Sequence, residues 1–92
     1  MIESFRHKGL KKFYEKGDRS GIGANMVAKV EEILTILEAV ETVAEADIPG
    51  YRLHSLTGDL KGFWSVRVTG NWRIIFRFEN GAVRNLDLTD YH

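Results

Sequence analysis

The chain has no cysteine and a single proline, and it shows neither a signal pattern nor a long apolar run. Without cysteine, disulfide bonds and thiolate metal sites are excluded. The three histidines are scattered and give no zinc-binding spacing. A membrane helix would need an apolar run of about 18 residues or more. The sequence therefore predicts a soluble, cytoplasmic protein without membrane contact, metal or cofactor.

Net charge is also absent, because thirteen Lys and Arg balance thirteen Asp and Glu. The charges are nevertheless segregated. Residues 24–50 carry one basic and six acidic side chains, whereas residues 1–23 carry six and three and residues 51–92 carry six and four. Such a split can present an anion-binding face on a neutral protein. The 92 residues are enough for one core, so we expect a single domain over residues 1–92.

Two amphipathic helices are predicted in the first half of the chain. Residues 6–17 suggest a short basic helix that ends at Gly17. Its inward side chains are predicted to be Leu10, Phe13 and Tyr14. Apolar residues recur at helical spacing over residues 26–44, which predicts a second helix of about five turns that ends near Ala44. The apolar start at residues 2–5 is predicted to be an edge strand.

From Tyr51 onward the apolar pattern changes to a period of two, which predicts an antiparallel meander of about four strands. A three-residue turn at residues 69–71 sets Val68 opposite Trp72 and keeps the apolar side chains on one face. The predicted fold class is therefore α+β. A short N-terminal strand and two helices precede the meander, and the helices pack on one face of the sheet.

The same reasoning predicts a three-residue loop at residues 79–81 in the next hairpin. The pairs that follow from this loop are Ile74 with Leu86 and Trp72 with Leu88. This register also places Arg84 on the apolar face, near the end of the sheet.

The predicted register collects positive charge on the face that the helices do not cover. Arg67 falls opposite Arg73, and Arg77 follows on the same face. Like charges directly opposite one another destabilise a sheet, so folding gives no reason for this arrangement. A bound phosphate would give one, because guanidinium groups fork onto phosphate oxygens. The alternative is a solvated face in which Asp87, predicted opposite Arg73, pairs with that arginine.

Groups that can transfer protons lie near this arginine cluster in the predicted topology. His54 falls on the open face if Tyr51 and Leu53 point inward, and the final strand delivers the terminal Asp90-Tyr91-His92. Two histidines and a carboxylate beside arginines could abstract and donate protons and stabilise charge, as RNA cleavage without a metal requires. As isolated surface residues they would need no such function. His7 is expected to be structural or on the surface.

Four segments of the sequence carry a family resemblance: MIESFRHKGLKKFYEKG at the start, YRLHSLTGDLKGFWSVRV, NWRIIFRFENG and the terminal DYH. Together they resemble the HigB-type toxins of the RelE/ParE superfamily, in order and over essentially the whole chain. The resemblance implies a RelE-like ribonuclease that enters the ribosomal A site and cuts mRNA without a metal. The implied reaction is attack of a ribose 2′-hydroxyl on the adjacent phosphate, which leaves a cyclic phosphate and a 5′-hydroxyl.

The resemblance also implies site residues and partners. The catalytic positions that it implies are His54, Arg73, Asp90, Tyr91 and His92. Arg67 falls beside them and, with Arg77 and Lys61, is predicted to bind RNA phosphate. The implied partner is a HigA-type helix-turn-helix antitoxin, and contact with operator DNA is expected only through that antitoxin.

Two other functions are compatible with the resemblance. Thr57 stands where some relatives carry a basic residue, which favours a weakly active or inactive toxin that acts mainly as an antitoxin-bound co-repressor. A ParE-like inhibitor of gyrase is disfavoured, because those proteins lack this set of histidines.

Overall fold

The structure is a computed structural model that describes residues 1–90, and it confirms the predicted α+β class. Helix α1 spans Lys8–Lys16 and helix α2 spans Val27–Ala39. The strands are β1 (His54–Ser55), β2 (Phe63–Arg67), β3 (Trp72–Glu79) and β4 (Ala82–Asp90). They form one antiparallel meander in the order β1-β2-β3-β4.

Helix α1 begins and ends close to the predicted positions. The Nδ1 atom of His7 accepts a hydrogen bond from the backbone N–H of Leu10 at 3.0 Å and so caps the N-terminus, which gives this histidine its expected structural role. Gly17 caps the other end. Leu10 and Phe13 are buried, but the prediction that Tyr14 points inward is wrong, because its side chain is 40% exposed.

Helix α2 is shorter than predicted. It ends at Ala39, and Val40 is already extended. Four residues further on, Val43–Ala46 form a separate 3₁₀ turn. Thr42 and Glu45 close a capping box at its start, and this local polar arrangement competes with continuation of the helix. The apolar period continued past the helix end because both elements bury residues in the same core.

The N-terminal segment lies at the edge of the sheet, as predicted, and runs parallel to β4. Its pairing is limited to two isolated bridges, Ile2 with Val83 and Phe5 with Leu86, so it is not a continuous strand. The backbone N–H of Arg6 adds a hydrogen bond of 2.7 Å to the carbonyl oxygen of Leu86. These contacts hold the start of the chain beside the last strand.

The predicted strand register is correct for the β2–β3 hairpin and wrong for the β3–β4 hairpin. Arg67 lies opposite Arg73, which confirms the predicted β2–β3 register. The predicted β3–β4 register is wrong, because Glu79 pairs with Ala82 across a two-residue turn. Asn80 and Gly81 occupy that turn with φ of 52° and 78°, a pair of positive angles that the twist of a two-residue hairpin favours and that glycine adopts without strain.

A bulge in β4 then restores the apolar face. Arg84 lies opposite Arg77 and Asp87 lies opposite Ile75, so β4 uses one residue more than β3 between these pairs. Asn85 adopts a φ of 56° at this point. The two-residue turn places Arg84 opposite Arg77 and off the apolar face, contrary to the prediction, and the bulge then returns Leu88 to the apolar face opposite Ile74.

The sheet therefore has two different faces. The face under the helices contributes buried apolar residues of β2, β3 and β4 to a core shared with both helices. The members of this core on the three strands are Val66, Ile74, Phe76, Val83, Leu86 and Leu88. The opposite face, here called the open face, carries the side chains that alternate with them on β2 and β3. These are Phe63, Ser65, Arg67, Arg73, Ile75 and Arg77.

Within residues 1–90, no helix is both long and apolar enough to cross a membrane.

Candidate functional site

Two arginines converge at the β2–β3 turn on the open face. The Nε atom of Arg67 donates a hydrogen bond to the carbonyl oxygen of Thr69 at 3.2 Å. The Nη1 atom of Arg73 donates to the same oxygen at 3.4 Å. Both side chains are half-buried. The shared carbonyl oxygen holds two like charges together, and guanidinium groups are side chains that form forked hydrogen bonds with anions.

His54 lies beside this pair. It is opposite Ser65 in the β1–β2 register and therefore shares the open face with Arg67, as predicted. The Nδ1 atom of His54 lies 2.9 Å from the carbonyl oxygen of Arg52. A carbonyl oxygen only accepts, so Nδ1 carries the hydrogen in this contact. The exposed imidazole therefore has Nε2 available to exchange a proton.

Backbone strain supports the orientation of this histidine. Arg52 adopts a φ of 52°, a left-handed conformation that costs a non-glycine residue about 1 kcal/mol or more. The hydrogen bond from the backbone N–H of Arg67 to the carbonyl oxygen of Tyr51, at 2.7 Å, fixes the preceding residue against β2. The backbone around Arg52 thus holds its carbonyl oxygen where it accepts the hydrogen bond from His54.

The C-terminal part of the predicted site is described only as far as Asp90. This residue ends β4, is exposed and lies opposite Trp72, so it stands at the rim of the sheet as predicted. Thr89 takes the position opposite Arg73 that the sequence assigned to Asp87. The predicted catalytic residues Tyr91 and His92 lie outside the described residues.

The remaining predicted RNA-binding residues lie at the other end of the open face. Arg77 is opposite Phe63, and its guanidinium lies 4.8 Å from the centre of that ring. The backbone carbonyl of Lys61 accepts a long hydrogen bond of 3.5 Å from Arg77, while the lysine residue is exposed. The structure thus brings Lys61 and Arg77 together, but it separates them from Arg67 and Arg73 by Ser65 and Ile75.

Sequence reasoning missed a further arginine here. Arg6 lies with its guanidinium 5.6 Å from the centre of the Phe63 ring and forms an ion pair of 3.8 Å with Asp87. The prediction that Asp87 lies opposite Arg73 is wrong, because Asp87 lies opposite Ile75. No spacing in the sequence could have indicated the contact of Arg6, because it depends on the parallel docking of the N-terminal segment against β4.

The pKa shifts of the described residues occur on the helix side. A hydrogen bond from Tyr14 lowers the pKa of Glu38, and the same bond raises the pKa of Tyr14. Burial, together with a hydrogen bond to Glu32, raises the pKa of Tyr51, while that bond lowers the pKa of Glu32. These pairs join helix α2 to its neighbours and lie away from the arginines.

A groove of about 350 Å³ between α1 and α2 lies on this side as well. Its lining includes Phe13, Leu34 and Glu38. The groove is largely apolar and contains none of the predicted site residues. In the described part of the chain, no group of three or more His, Asp or Glu side chains is arranged to hold a metal ion.

Comparison of the sequence with known proteins shows the family to which the chain belongs. The model of a family described as RelE-like toxin of type II toxin–antitoxin system HigB matches residues 3–92. The chain belongs to this family of HigB-like toxins. The endoribonuclease HigB of Proteus vulgaris is 44% identical over 92 residues and is covered completely, as is this chain. Toxin HigB-1 of Vibrio cholerae serotype O1 is 36% identical over 89 residues, with 92% of each chain covered.

Solved structures show that this HigB-like toxin has the RelE-like fold. YafQ from Escherichia coli strain BL21(DE3) superposes with a TM-score of 0.64 at 17% identity, covering 98% of this chain and 91% of its own. The YoeB/ParE toxin from Agrobacterium tumefaciens gives a TM-score of 0.61 at 17% identity, with 100% and 99% covered. The architecture is therefore common to toxins of quite different sequence.

Proposed function

We propose that this toxin is a ribosome-dependent endoribonuclease that cleaves mRNA in the A site without a metal. The endoribonuclease class is supported by the full-length relationship to HigB of Proteus vulgaris, which bears that name. The observation that carries the mechanism is the convergence of Arg67 and Arg73 beside His54 on a face that the helices leave uncovered.

The reaction is an internal transfer of the phosphoryl group. A base takes the proton from the ribose 2′-hydroxyl, and this oxygen attacks the adjacent phosphorus. The bond to the 5′-oxygen of the next nucleotide breaks, and an acid protonates that oxygen. The products are a 2′,3′-cyclic phosphate and a 5′-hydroxyl, so no water and no oxidant is consumed.

The proposed roles follow from the chemistry of each side chain. His54, Asp90 and His92 share the proton transfers, and Nε2 is the nitrogen of His54 that takes part. Arg73 stabilises the negative charge that develops on the phosphate oxygens, and its guanidinium, like that of Arg67, can present more than one N–H to them. Tyr91 positions the nucleotide or the proton network.

RNA binding beyond the reacting phosphate is assigned to basic groups on the same face. Arg67 holds the scissile phosphate together with Arg73. Arg77 and Lys61 lie towards the opposite end and can follow the RNA backbone.

A HigA-type helix-turn-helix antitoxin is the proposed partner. The family is defined by membership of a toxin–antitoxin system, and the structurally similar YoeB from Staphylococcus aureus was solved as a complex with YefM. Contact with operator DNA would be made by the antitoxin alone. The toxin would act in the cytoplasm, where its ribosomal target is located.

The deciding experiment maps mRNA cleavage on programmed ribosomes by primer extension. The proteins compared are the wild type, His54→Ala, His92→Ala and Lys12→Ala, the last of which removes an exposed charge from α1. We expect site-specific cuts by the wild type and by Lys12→Ala. Loss of a general acid or base should slow cleavage by about 10²–10⁴-fold in each histidine variant. The control without ribosomes measures cleavage of naked RNA in the presence of EDTA.

The outcomes separate the two candidate functions. If the wild type is well folded but makes no cuts, the protein acts as an antitoxin-bound co-repressor, the function that Thr57 favours. Equal cleavage of naked and ribosome-bound RNA would contradict the dependence on the ribosome. Equal cleavage by the wild type and the histidine variants would remove those residues from the mechanism.

A further inference from the structure

A second pair of arginines is built into the open face, away from the scissile phosphate site. The ring of Phe63 carries the guanidinium of Arg77 at 4.8 Å and that of Arg6 at 5.6 Å from its centre. Phe63 itself is only 5% exposed, so it cannot stack on a base. It instead serves as a platform that orients two cations.

On its other side the guanidinium of Arg77 lies close to the backbone of Gly62. A Cβ atom at Gly62 would lie 2.7 Å from Nη1 of Arg77, and the glycine has a φ of 96°. Only a glycine lets the backbone approach the guanidinium so closely in this conformation. The hydrogen bond to the carbonyl oxygen of Lys61 completes the contact. The guanidinium is therefore preorganised while further N–H donors remain for a ligand.

Arg6 is held from the opposite edge of the sheet. Its backbone N–H bonds to Leu86, and its Nε lies 3.8 Å from an oxygen of Asp87. This carboxylate offsets one positive charge of the pair. The neighbouring Arg84 forms an ion pair of 2.8 Å with Glu3 instead, so that charge is already balanced. A net positive charge remains over Phe63.

This arrangement has the properties of an anion site. The guanidinium groups of Arg6 and Arg77 carry the same charge and lie over one ring, although a greater distance between them would lower their repulsion. Both side chains reach solvent. A phosphate between them would remove the repulsion and accept forked hydrogen bonds from both. The guanidinium groups of Arg67 and Arg73 gather instead at Thr69, so a single phosphate does not fill both places.

We propose that Arg6 and Arg77, oriented by Phe63 and Gly62, form a second phosphate-binding subsite that holds the substrate RNA at a phosphate other than the scissile one. The proposal rests on the proposed RNA cleavage, because it assigns a further contact to the same substrate. It adds Arg6, Gly62 and Phe63 to the residues with a part in that function.

The test measures binding of 2′-O-methyl oligoribonucleotides, which lack the attacking hydroxyl, over a range of salt concentrations by fluorescence anisotropy. A hexanucleotide can fill both sites, whereas a dinucleotide with one phosphate cannot. The double variant Arg6→Gln/Arg77→Gln is compared with Arg19→Gln, which removes an exposed arginine from the loop after α1. Circular dichroism confirms that each variant is folded.

We expect the double variant to bind the hexanucleotide about tenfold more weakly and to lose about 0.7 from the slope of log K against log salt. The ratio of hexanucleotide to dinucleotide affinity should fall with it. Gly62→Ala should weaken hexanucleotide binding in the same direction, with no change in charge. Asp87→Asn should strengthen it, because the competing carboxylate is gone.

The results distinguish failure of this subsite from failure of the proposed function. If the wild type cuts ribosome-bound mRNA but the double variant binds the hexanucleotide as Arg19→Gln does, the subsite is wrong and the cleavage stands. If the double variant loses cleavage on ribosomes while its oligonucleotide binding is intact, the ligand is ribosomal RNA and the assignment to substrate is overturned. If the wild type neither cuts nor binds, the proposed function itself fails.

Discussion

The two faces of the sheet differ in composition on β2 and β3. The helix-covered face is apolar, whereas the open face carries arginines at both ends and the buried side chains of Phe63, Ser65 and Ile75. Along β3, Ile74 and Phe76 turn towards the helices and are fully buried, while Arg73 and Arg77 turn the other way. One face excludes water and holds the fold together. The other brings like charges opposite one another, which costs stability. Alternation along one strand therefore separates residues that stabilise the protein from residues that we propose for its activity.

The largest effect that tests this separation is expected from a pair of phenylalanines, one on each face. Phe76→Ala leaves a cavity in the helix-covered core and should cost about 3–5 kcal/mol, a large part of the stability of a small domain. Phe63→Ala on the open face should cost less than this, because the half-exposed side chain of Arg6 over the ring can move into part of the space.

Urea denaturation followed by circular dichroism measures both free energies of unfolding. Equal losses in the two variants would show that the open face contributes to stability as much as the core does, and the separation of the faces would then be false.

A substitution within the arginine cluster tests the open face for activity. Arg73→Lys keeps the charge but loses the planar fork, so we expect about 10²-fold slower cleavage on ribosomes. The free energy of unfolding should change by no more than about 0.5 kcal/mol. The matched exchange Arg19→Lys, on an exposed loop, should leave both quantities unchanged. A fully active Arg73→Lys variant would show that charge alone suffices, without forked hydrogen bonds.

The bulge in β4 keeps the two faces distinct, so breaking it should affect both properties. Asn85 has a left-handed φ of 56°, which a β-branched residue tolerates poorly. Asn85→Val should therefore cost about 1–2 kcal/mol and reduce cleavage, because the strand beyond the bulge carries Asp87 and Asp90. Asn85→Gly is the control, since glycine accepts this conformation and should preserve activity. If valine and glycine behave alike, the bulge does not determine the register.

The bulge also shows how far sequence reasoning can go. Period-two alternation predicted the meander, the faces and the Arg67–Arg73 pair, because each is a local consequence of side-chain direction. The predicted β3–β4 pairing was two residues out of register. A three-residue loop was predicted at residues 79–81, whereas the structure has a two-residue turn there and an extra residue in β4 at Asn85.

The missed parts of the candidate site have a similar physical cause. The contact of Arg6 with Phe63 joins residues far apart in the chain, and no periodicity indicates such a contact. The close approach of Gly62 to Arg77 likewise depends on a loop conformation. His54 was placed on the correct face because it lies directly on a strand, where alternation applies.

The smallest expected effect concerns ionisable groups on the helix side. The hydrogen bond from Tyr14 lowers the pKa of Glu38 below its usual value of 4.5. A lowered pKa in the folded state means that the carboxylate contributes stability above about pH 4.5, and that this contribution is lost as the pH falls through the folded-state pKa. Because the Glu38 side chain is 41% exposed, solvent screening limits the contribution to about 0.5 kcal/mol.

Glu38→Gln should thus be slightly less stable than the wild type at pH 7, and the difference should shrink as the pH falls below about 4.5. Tyr14→Phe removes the donor and should show the same pH dependence. Urea denaturation at pH 3, 5 and 7 measures it, and cleavage at pH 7 should be unaffected in both variants, because neither residue lies on the open face. A variant that lost activity while remaining folded would show that the helix side and the catalytic face are coupled, and the division of labour between the two faces would no longer hold.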